Sequence, residues 1–390
     1  MKNLQITAYM QHFIRQQVMP GDICIDATMG NGNDTALLSQ LAGKRGRVLA
    51  FDIQKQALEH TAERLLKDGC PENYQLFLDT HENMMNYAKP DMPLPAVLDV
   101  IGLNYQGEGI RQSPEFDGTD RIRTAPQYAA YHAKFPDKVI LSTETASAFS
   151  SRGIYLFPVS KEISAPLRDG RGGDSKSRQI SSYELHAVDF GSSAEKVFST
   201  LDQHPFVAGE FVWTGWDHLG EPTPYYESRS AYCGMIDLAG FKKDRFYLYQ
   251  SHWRPELPMV HLLPHWNWSE RVGEITPVHV FTSGNEVELF LNGKSLGKKI
   301  KGQYEYRLRW DSVRYEPGEL KVIAYKNGLK WAENTVKTTG AATKLFASAD
   351  REIINSDGKD LTFITVQIAD KDGLFVPRSN NLIEFSIDGP

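Results

Sequence analysis

The chain has 390 residues, 41% hydrophobic and 24% charged, enough to bury roughly two to four cores of ordinary domain size. A net charge of -6 excludes the basic field that holds nucleic acid without sequence preference, so any RNA contact would have to be local. Cys24, Cys70 and Cys233 are too few and too scattered for a disulfide framework or a metal knuckle and are expected to fill space.

The opening residues break their apolar positions with Gln, His and Arg, unlike a signal peptide, and no run of 18 apolar residues follows, so the chain as written is expected in the cytosol. Ile6, Met10, Phe13, Ile14 and Val18 recur at helical spacing. "DICIDA" reads as a short buried strand, and "DTALLSQLA" starts a helix with Asn33 or Asp34 as its cap. "RVLAFDI" is a second strand, Ala57, Leu58, Ala62, Leu65 and Leu66 line one face of a second helix, and "YQLFLD" is a third strand. This βαβαβ order predicts half of a doubly wound, Rossmann-like sheet.

Between about 95 and 270, the strands "AVLDVIGLNY", "KVILSTE" and "FVAGEFVWTGW" are separated by loops and by helical stretches such as "AEKVFSTLDQ". From about 271 the pattern becomes all β, with period-two runs "VHVFTS", "EVELFLNG", "YRLRW" and "LKVIAYKNG". Asn292-Gly293 and Asn327-Gly328 are hairpin dipeptides. A further β set begins near 343 and is expected to be a cut-off domain. The fold class predicted is multidomain α/β plus all-β, divided 1–92, 93–270, 271–340 and 341–390.

Two groups of residues carry chemistry. In "DATMGNGNDT" a strand ends at Asp26 and the chain turns through Gly30 and Gly32 into a helix whose N-terminus favours an anion. Asp52 closes the second strand, where an acid can accept both ribose hydroxyls. The other reading is a tight turn whose acid only caps the next helix. Farther on, Asn104 and Tyr105 end one strand, Glu144 ends the next, and Trp213 and Trp216 end a third. In a (β/α)8 barrel the strand C-termini all face the active site, so this order gathers an amide, a phenol, a carboxylate and indoles around one pocket. That is the composition of a sugar site, in which aromatic faces stack on C–H surfaces and polar tips hold hydroxyls. Thr143, Thr145, Ala146 and Ser147 are expected to leave room for the ring. The other reading makes Glu144 a capping or salt-bridged acid and the indoles ordinary core.

Through "DATMGNGNDT", "VLAFDIQ" and "THEN" the first 90 or so residues resemble the class I S-adenosylmethionine-dependent methyltransferases, and among them the small bacterial tRNA or rRNA methylase-like group. That resemblance implies that Asp26, Gly30 and Gly32 cradle the methionine part of S-adenosylmethionine, that Asp52 holds the ribose, and that His81 and Glu82 lie near the adenine. It also implies a nucleic-acid substrate only for a complete methyltransferase.

Residues 97 to 270 resemble the C-terminal part of the catalytic barrel of glycoside hydrolase family 2, especially the β-galactosidases of gut Bacteroidetes. "LDVIGLNYQGEGIR", "TETASAFSSRGIY", "GEFVWTGWDHLGEPTPYY" and "SAYCGMIDLAGFKKDRFYLYQSHW" carry it. Residues 271 to 340 resemble the sandwich domain after such barrels, and 343 to 390 the opening of an immunoglobulin-like module. The resemblance implies a retaining hydrolase of β-galactosides that needs no cofactor, with Glu144 as nucleophile, Tyr105 beside it and Trp213 as sugar platform. Its relatives are often exported to the periplasm. It places the acid/base in an Asn-Glu pair on a strand before "LDVIGLNY", where this sequence is methylase-like instead. Glu108, Glu115, Glu210 and Asp217 lack that context. The expectation is therefore a junction of two gene fragments near 87–99, by recombination or misjoined sequence, with a noncatalytic carbohydrate-binding fragment as the alternative role. Three doubly wound strands would not replace five barrel strands.

Overall fold

In the computed structural model, which describes residues 6–80, 83–87, 100–107 and 125–386, the chain forms two units, Met1–Asp99 and Val100–Pro390. His81, Glu82, Glu108, Glu115 and nearly all of the expected junction lie outside the described residues.

The N-terminal unit runs α1 (Ile6–Gln17), β1 (Ile23–Asp26), α2 (Asn33–Ala42), β2 (Arg47–Asp52), α3 (Lys55–Lys67), β3 (Tyr74–Leu78) and α4 (Met84–Tyr87). Its strands pair parallel in the order β1-β2-β3. Val48, Leu49, Ala50 and Phe51 of the central strand are all buried, as a strand covered on both faces requires.

Packing corrects three local expectations. Helix α3 buries Ala57, Thr61 and Leu65, four apart, whereas Leu66 is 76% exposed, because the hydrophobic face is narrower than its apolar count suggests. In α1, Ile14 and Val18 pack against Cys24, Leu38, Ala42 and Val48, but Met10 and Phe13 are exposed. Neither Asn33 nor Asp34 caps α2; Gly32 is its N-cap, in the left-handed region at φ 74°. A Cβ on Gly32 would stand 2.9 Å from the Thr61 Cα, so close packing of α2 on α3 selects glycine there.

The second unit begins with β4 (Val100–Asn104), α5 (Tyr128–Lys134) and β5 (Val139–Ala146). Short strands β6 (Ala148–Phe149), β7 (Arg168–Asp169), β8 (Gly172–Asp174), β9 (Gln179–Ile180) and β10 (His186–Ala187) follow. Then come α6 (Ala194–Asp202), β11 (Val207–Trp213) and α7 (Asp244–Trp253). Strands β4, β5 and β11 form one parallel sheet in the order β11-β5-β4, three successive βα units with their C-terminal ends together. Tyr128 on α5 and Phe198 on α6 are fully buried.

The all-β part contains β12 (Val260–Leu263), β13 (Val278–Thr282), β14 (Glu286–Leu291), β15 (Lys294–Ile300), β16 (Leu308–Trp310), β17 (Glu319–Lys326) and β18 (Leu329–Lys337). Sheets β12-β13-β16 and β15-β14-β17-β18 enclose a core rich in Trp, Val and Leu. Val287, Leu289 and Leu291 of β14 alternate inward and pair in register with Ala324, Val322 and Leu320 of β17. Both hairpin dipeptides form their turns, with φ of 50° and 77° at Asn292-Gly293 and 54° and 79° at Asn327-Gly328. The final pair, β19 (Lys344–Ala349) and β20 (Ile364–Ala369), leaves Leu345, Phe346 and Ile364 exposed.

One buried cation joins the sandwich to the helical layer. Arg307 donates to Glu195 in the first turn of α6 at 2.7 Å, to the carbonyls of Tyr183 and Glu184, and to His279 Nδ1 at 2.9 Å. Burial pushes the His279 imidazole down to about 3, so it stays neutral and accepts.

Candidate active site

The alternation of a strand is broken in β5. Leu103 of β4 stands opposite Ser142 and the next residue, Asn104, stands opposite Glu144, so β5 carries one extra residue at Thr143. Ser142 meets the Tyr128 hydroxyl of α5 at 2.5 Å. Thr145, three residues on, bonds Glu210 at 2.8 Å, and Glu210 in turn accepts from the Trp253 indole of α7 at 3.2 Å. Ser142 and Thr145 thus both face the helices, which an unbroken period of two forbids. The bulge leaves Thr143 and Glu144 together on the other face, the use to which bulges beside active sites are put.

Glu144 meets the end of β4 there. The Tyr105 hydroxyl donates to its Oε1, and the Tyr105 N–H donates to its main-chain carbonyl at 2.6 Å. Thr143 donates to Asn104 Oδ1 at 2.5 Å on the same open side. Tyr105, Ala146 and Ser147 have φ of 50°, 64° and 51°. Left-handed backbone at residues other than glycine costs about 1–3 kcal/mol each and gathers where geometry serves chemistry. Burial, then the bond to Glu144, holds the Tyr105 phenol far above its ordinary range, so it remains a proton donor.

The third strand end brings one half-buried indole and one exposed indole. Trp213 pairs with Ala146, but its ring packs toward Phe149, Ile180 and Cys233 and edge-on to His218. Trp216 lies beyond β11, bridges to Ile236 and is 61% exposed. Thr145, Ala146 and Ser147 are buried, with Ser147 against Cys233, so they pack the sheet end and do not line open space.

Two buried cations hold the segments leaving these strands. Lys243 Nζ donates to the Ser150 carbonyl at 2.8 Å and to Asp217 Oδ1 at 2.7 Å. Arg245 bonds Glu184 at 2.6 Å and the carbonyls of Ala148 and Cys233. Each is 1% exposed, so each holds its loops through charge-assisted bonds in a dry interior. "FKKDRF" reads as a solvated charge run, and nothing in its spacing announces this burial.

In the N-terminal unit Asp26, Gly30, Gly32 and Asp52 come together at one turn. Asp52 accepts from the Gly30 N–H at 3.0 Å and from the Gln54 N–H at 3.0 Å, one bond to each oxygen. Asp26 takes the Thr35 hydroxyl at 2.6 Å and the Thr28 N–H at 3.2 Å. These acids lace the turn, and each Asp52 oxygen keeps a lone pair for a hydroxyl donor. These acceptors therefore fit the hydroxyls of a ribose. Among the described residues no group of three His, Cys, Asp or Glu could hold a metal ion, and no helix is long and apolar enough to cross a membrane.

Family profiles match three segments: "Putative rRNA methylase" at 48–103, "Domain of unknown function (DUF4982)" at 273–332 and "Glycoside hydrolase family 2 C-terminal domain 5" at 345–390. A β-galactosidase of Bacteroides ovatus is 36% identical over 376 residues, covering 92% of this chain and 42% of the relative. A β-glucuronidase of Formosa agariphila is 31% identical over 53% of this chain and 21% of its own length. A chloroplastic tRNA (mnm5s2U34)-methyltransferase of Arabidopsis thaliana is 45% identical over 60 residues, 14% of this chain and 22% of the relative. The chain thus spans less than half the length of each of these curated relatives. Among solved structures, a β-glycosidase from Bacteroides vulgatus superposes with a TM-score of 0.61 at 23% identity, over 94% of this chain and 51% of that one, a likeness of fold.

Glu210 supplies a test of the helix-side face. Burial pushes its carboxyl up to about 7, so the native state binds a proton that the unfolded chain releases between its ordinary 4.5 and 7. Stability from this group is therefore lost as pH rises through that window. Between pH 5 and 8 the unfolding free energy of the parent should fall by about 2 kcal/mol more than that of Glu210→Gln. Denaturant titrations at the two pH values measure this, and parallel profiles would contradict it.

Proposed function

We propose, for a chain whose residues from about 97 onward belong to glycoside hydrolase family 2 and whose first 90 or so are methylase-like, that the site at the ends of β4 and β5 is a retaining glycosidase centre acting on terminal β-galactosides. The observation that carries it is the bulge-directed Glu144 held by the Tyr105 phenol at adjoining parallel strand ends. The long match to a β-galactosidase favours galactosides over glucuronides.

In this reading Glu144 attacks the anomeric carbon, and a glycosyl ester forms as the glycosidic C–O bond breaks. Tyr105 does not react; it fixes the carboxylate rotamer. A retaining enzyme places a second carboxyl about 5–5.5 Å away, to protonate the leaving oxygen and then deprotonate water. In this chain an rRNA methylase profile matches 48–103, the segment before β4, and the sequence there carries no Asn-Glu pair. Positioned acid catalysis contributes about 10²–10⁴-fold, or roughly 3–5 kcal/mol of barrier.

Substrate leaving-group ability therefore separates the two roles. A 2,4-dinitrophenyl β-galactoside, which needs little protonation, should be hydrolysed slowly by the purified chain and not by Glu144→Gln, while lactose should not be turned over by either. Lactose hydrolysis abolished by Glu144→Gln would contradict the missing acid. Equal aryl hydrolysis by parent and variant would contradict the nucleophile.

A second reading concerns the N-terminal unit by itself, where the Asp52 geometry and the methyltransferase relative support S-adenosylmethionine as ligand. Asp52 would hold the ribose and the Gly30–Gly32 turn the methionine end, as the source of a transferable methyl group. Methyl transfer is not expected, since the resemblance stops before the strands that build an acceptor pocket. Calorimetric titration should give weak binding to the parent and about tenfold less to Asp52→Ala, a loss of one charge-assisted contact. Equal heats for the two proteins would remove the cofactor from this account.

A further inference from the structure

Two hollows adjoin on the sandwich at Asp311 and Ser312, which line both. One, of about 750 Å³, lies between the 157–161 segment, Arg271 and Arg309. The other, of about 480 Å³, lies between the β14–β15 hairpin and the 310–316 segment. Neither contains a residue of the Glu144 site.

The chain carries a net charge of -6, yet this surface is basic. Lys161, Lys294, Lys299, Arg271, Arg309 and Arg314 line it against two acids, Asp311 and Glu316. Two of these cations are neutralised, Arg309 by Asp311 at 3.0 Å and Arg271 by Glu274 at 2.8 Å. Lys161 and Lys294 are exposed and have no ion-pair partner among the described residues. Lys299 donates to the Arg309 carbonyl and Arg314 to the Gly273 carbonyl at 2.7 Å, acceptors that leave a positive charge uncancelled. Four cations therefore face the single acid Glu316.

The rings of the same surface are covered by cations. The Arg271 guanidinium stands 3.7 Å from the centre of the Phe157 ring, and the Lys299 ammonium 5.2 Å from that of Trp310. Trp310 is buried. A ring face already occupied by a cation is closed to the C–H surface of a sugar and to a nucleic-acid base. The groove thus presents charge without a stacking platform, and recognition in it runs through anionic groups. Cations spread over two adjoining hollows suit a polymer with repeated charges better than one small anion.

We propose that this groove holds the anionic groups of an acidic glycan, uronate carboxylates or sulfate esters, on a polymer whose terminal galactoside meets Glu144. The choice of a glycan among polyanions rests on the glycosidase reading of the Glu144 site; the charge of the groove does not. Single-stranded nucleic acid, the competing polyanion, draws much of its affinity from base stacking, which the capped rings do not offer.

Biolayer interferometry of the full chain on immobilised alginate, dextran sulfate, dextran and poly(U), in excess galactose to occupy the Glu144 site, tests this. At about 50 mM salt one or both acidic glycans should be retained and dextran should not, and about 500 mM salt should weaken retention about tenfold. Retention of alginate assigns carboxylates, and retention of dextran sulfate assigns sulfate esters. Lys161→Gln/Lys294→Gln, one lysine from each hollow, should weaken binding about fivefold, and the charge-matched control Lys359→Gln/Lys371→Gln less than about twofold. Equal losses in the two double variants would overturn the groove as the site, and dextran held as tightly as dextran sulfate would overturn its charge basis. Poly(U) held as tightly as the acidic glycans would overturn the glycan as ligand. Retention of neither acidic glycan would overturn the proposal and leave the Glu144 reading standing, since hydrolysis of the aryl galactoside tests that reading separately.

Discussion

The extra residue in β5 is the constraint on which the candidate site depends. Ser142 is committed to Tyr128 and Thr145 to Glu210, both on the helix side, and the two anchors are three residues apart. The intervening pair, Thr143 and Glu144, must then share the opposite face. Without the bulge Glu144 would follow Ser142 into the helix layer, where an ionised carboxyl is strongly disfavoured. The raised proton affinity of Glu210, which does occupy that layer, shows that penalty at work.

Around this kink the buried charges hold loops. Lys243 and Arg245, two residues apart, bind carbonyls of the segment after β5 and of the 232–233 segment. Arg307 does the same between α6, the 183–184 segment and the sandwich. Removing one partner of such a buried pair typically costs about 3–5 kcal/mol. The segments that follow β5 and precede α6 are thus held by charge-assisted bonds to buried cations.

Much of this was legible in the sequence, for reasons that can be named. The βαβαβ order, the strand positions of the all-β part and the two Asn-Gly turns depend on neighbours in the chain and appear where expected, although "VHVFT" does not alternate, because both faces of β13 are covered. Asn104, Tyr105 and Glu144 could be placed together because parallel strands bring their C-terminal ends together. The bulge was not legible, since "KVILSTETA" reads as an unbroken strand and only the contacts of Ser142 and Thr145 reveal the extra residue. Nor were the burial of Lys243 and Arg245, the inward packing of Trp213 or the exposure of Leu66, because each depends on which distant segment covers that position. The role of Gly32 was legible only in part: its place in a tight turn could be read, its contact with Thr61 could not.

The most direct measurement is covalent trapping with 2,4-dinitrophenyl 2-deoxy-2-fluoro-β-galactoside followed by peptide mass mapping. The account predicts one fluorogalactosyl group per chain, on the peptide containing Glu144 and absent from Glu144→Gln. A label on any other residue, or one that persists in Glu144→Gln, would contradict it.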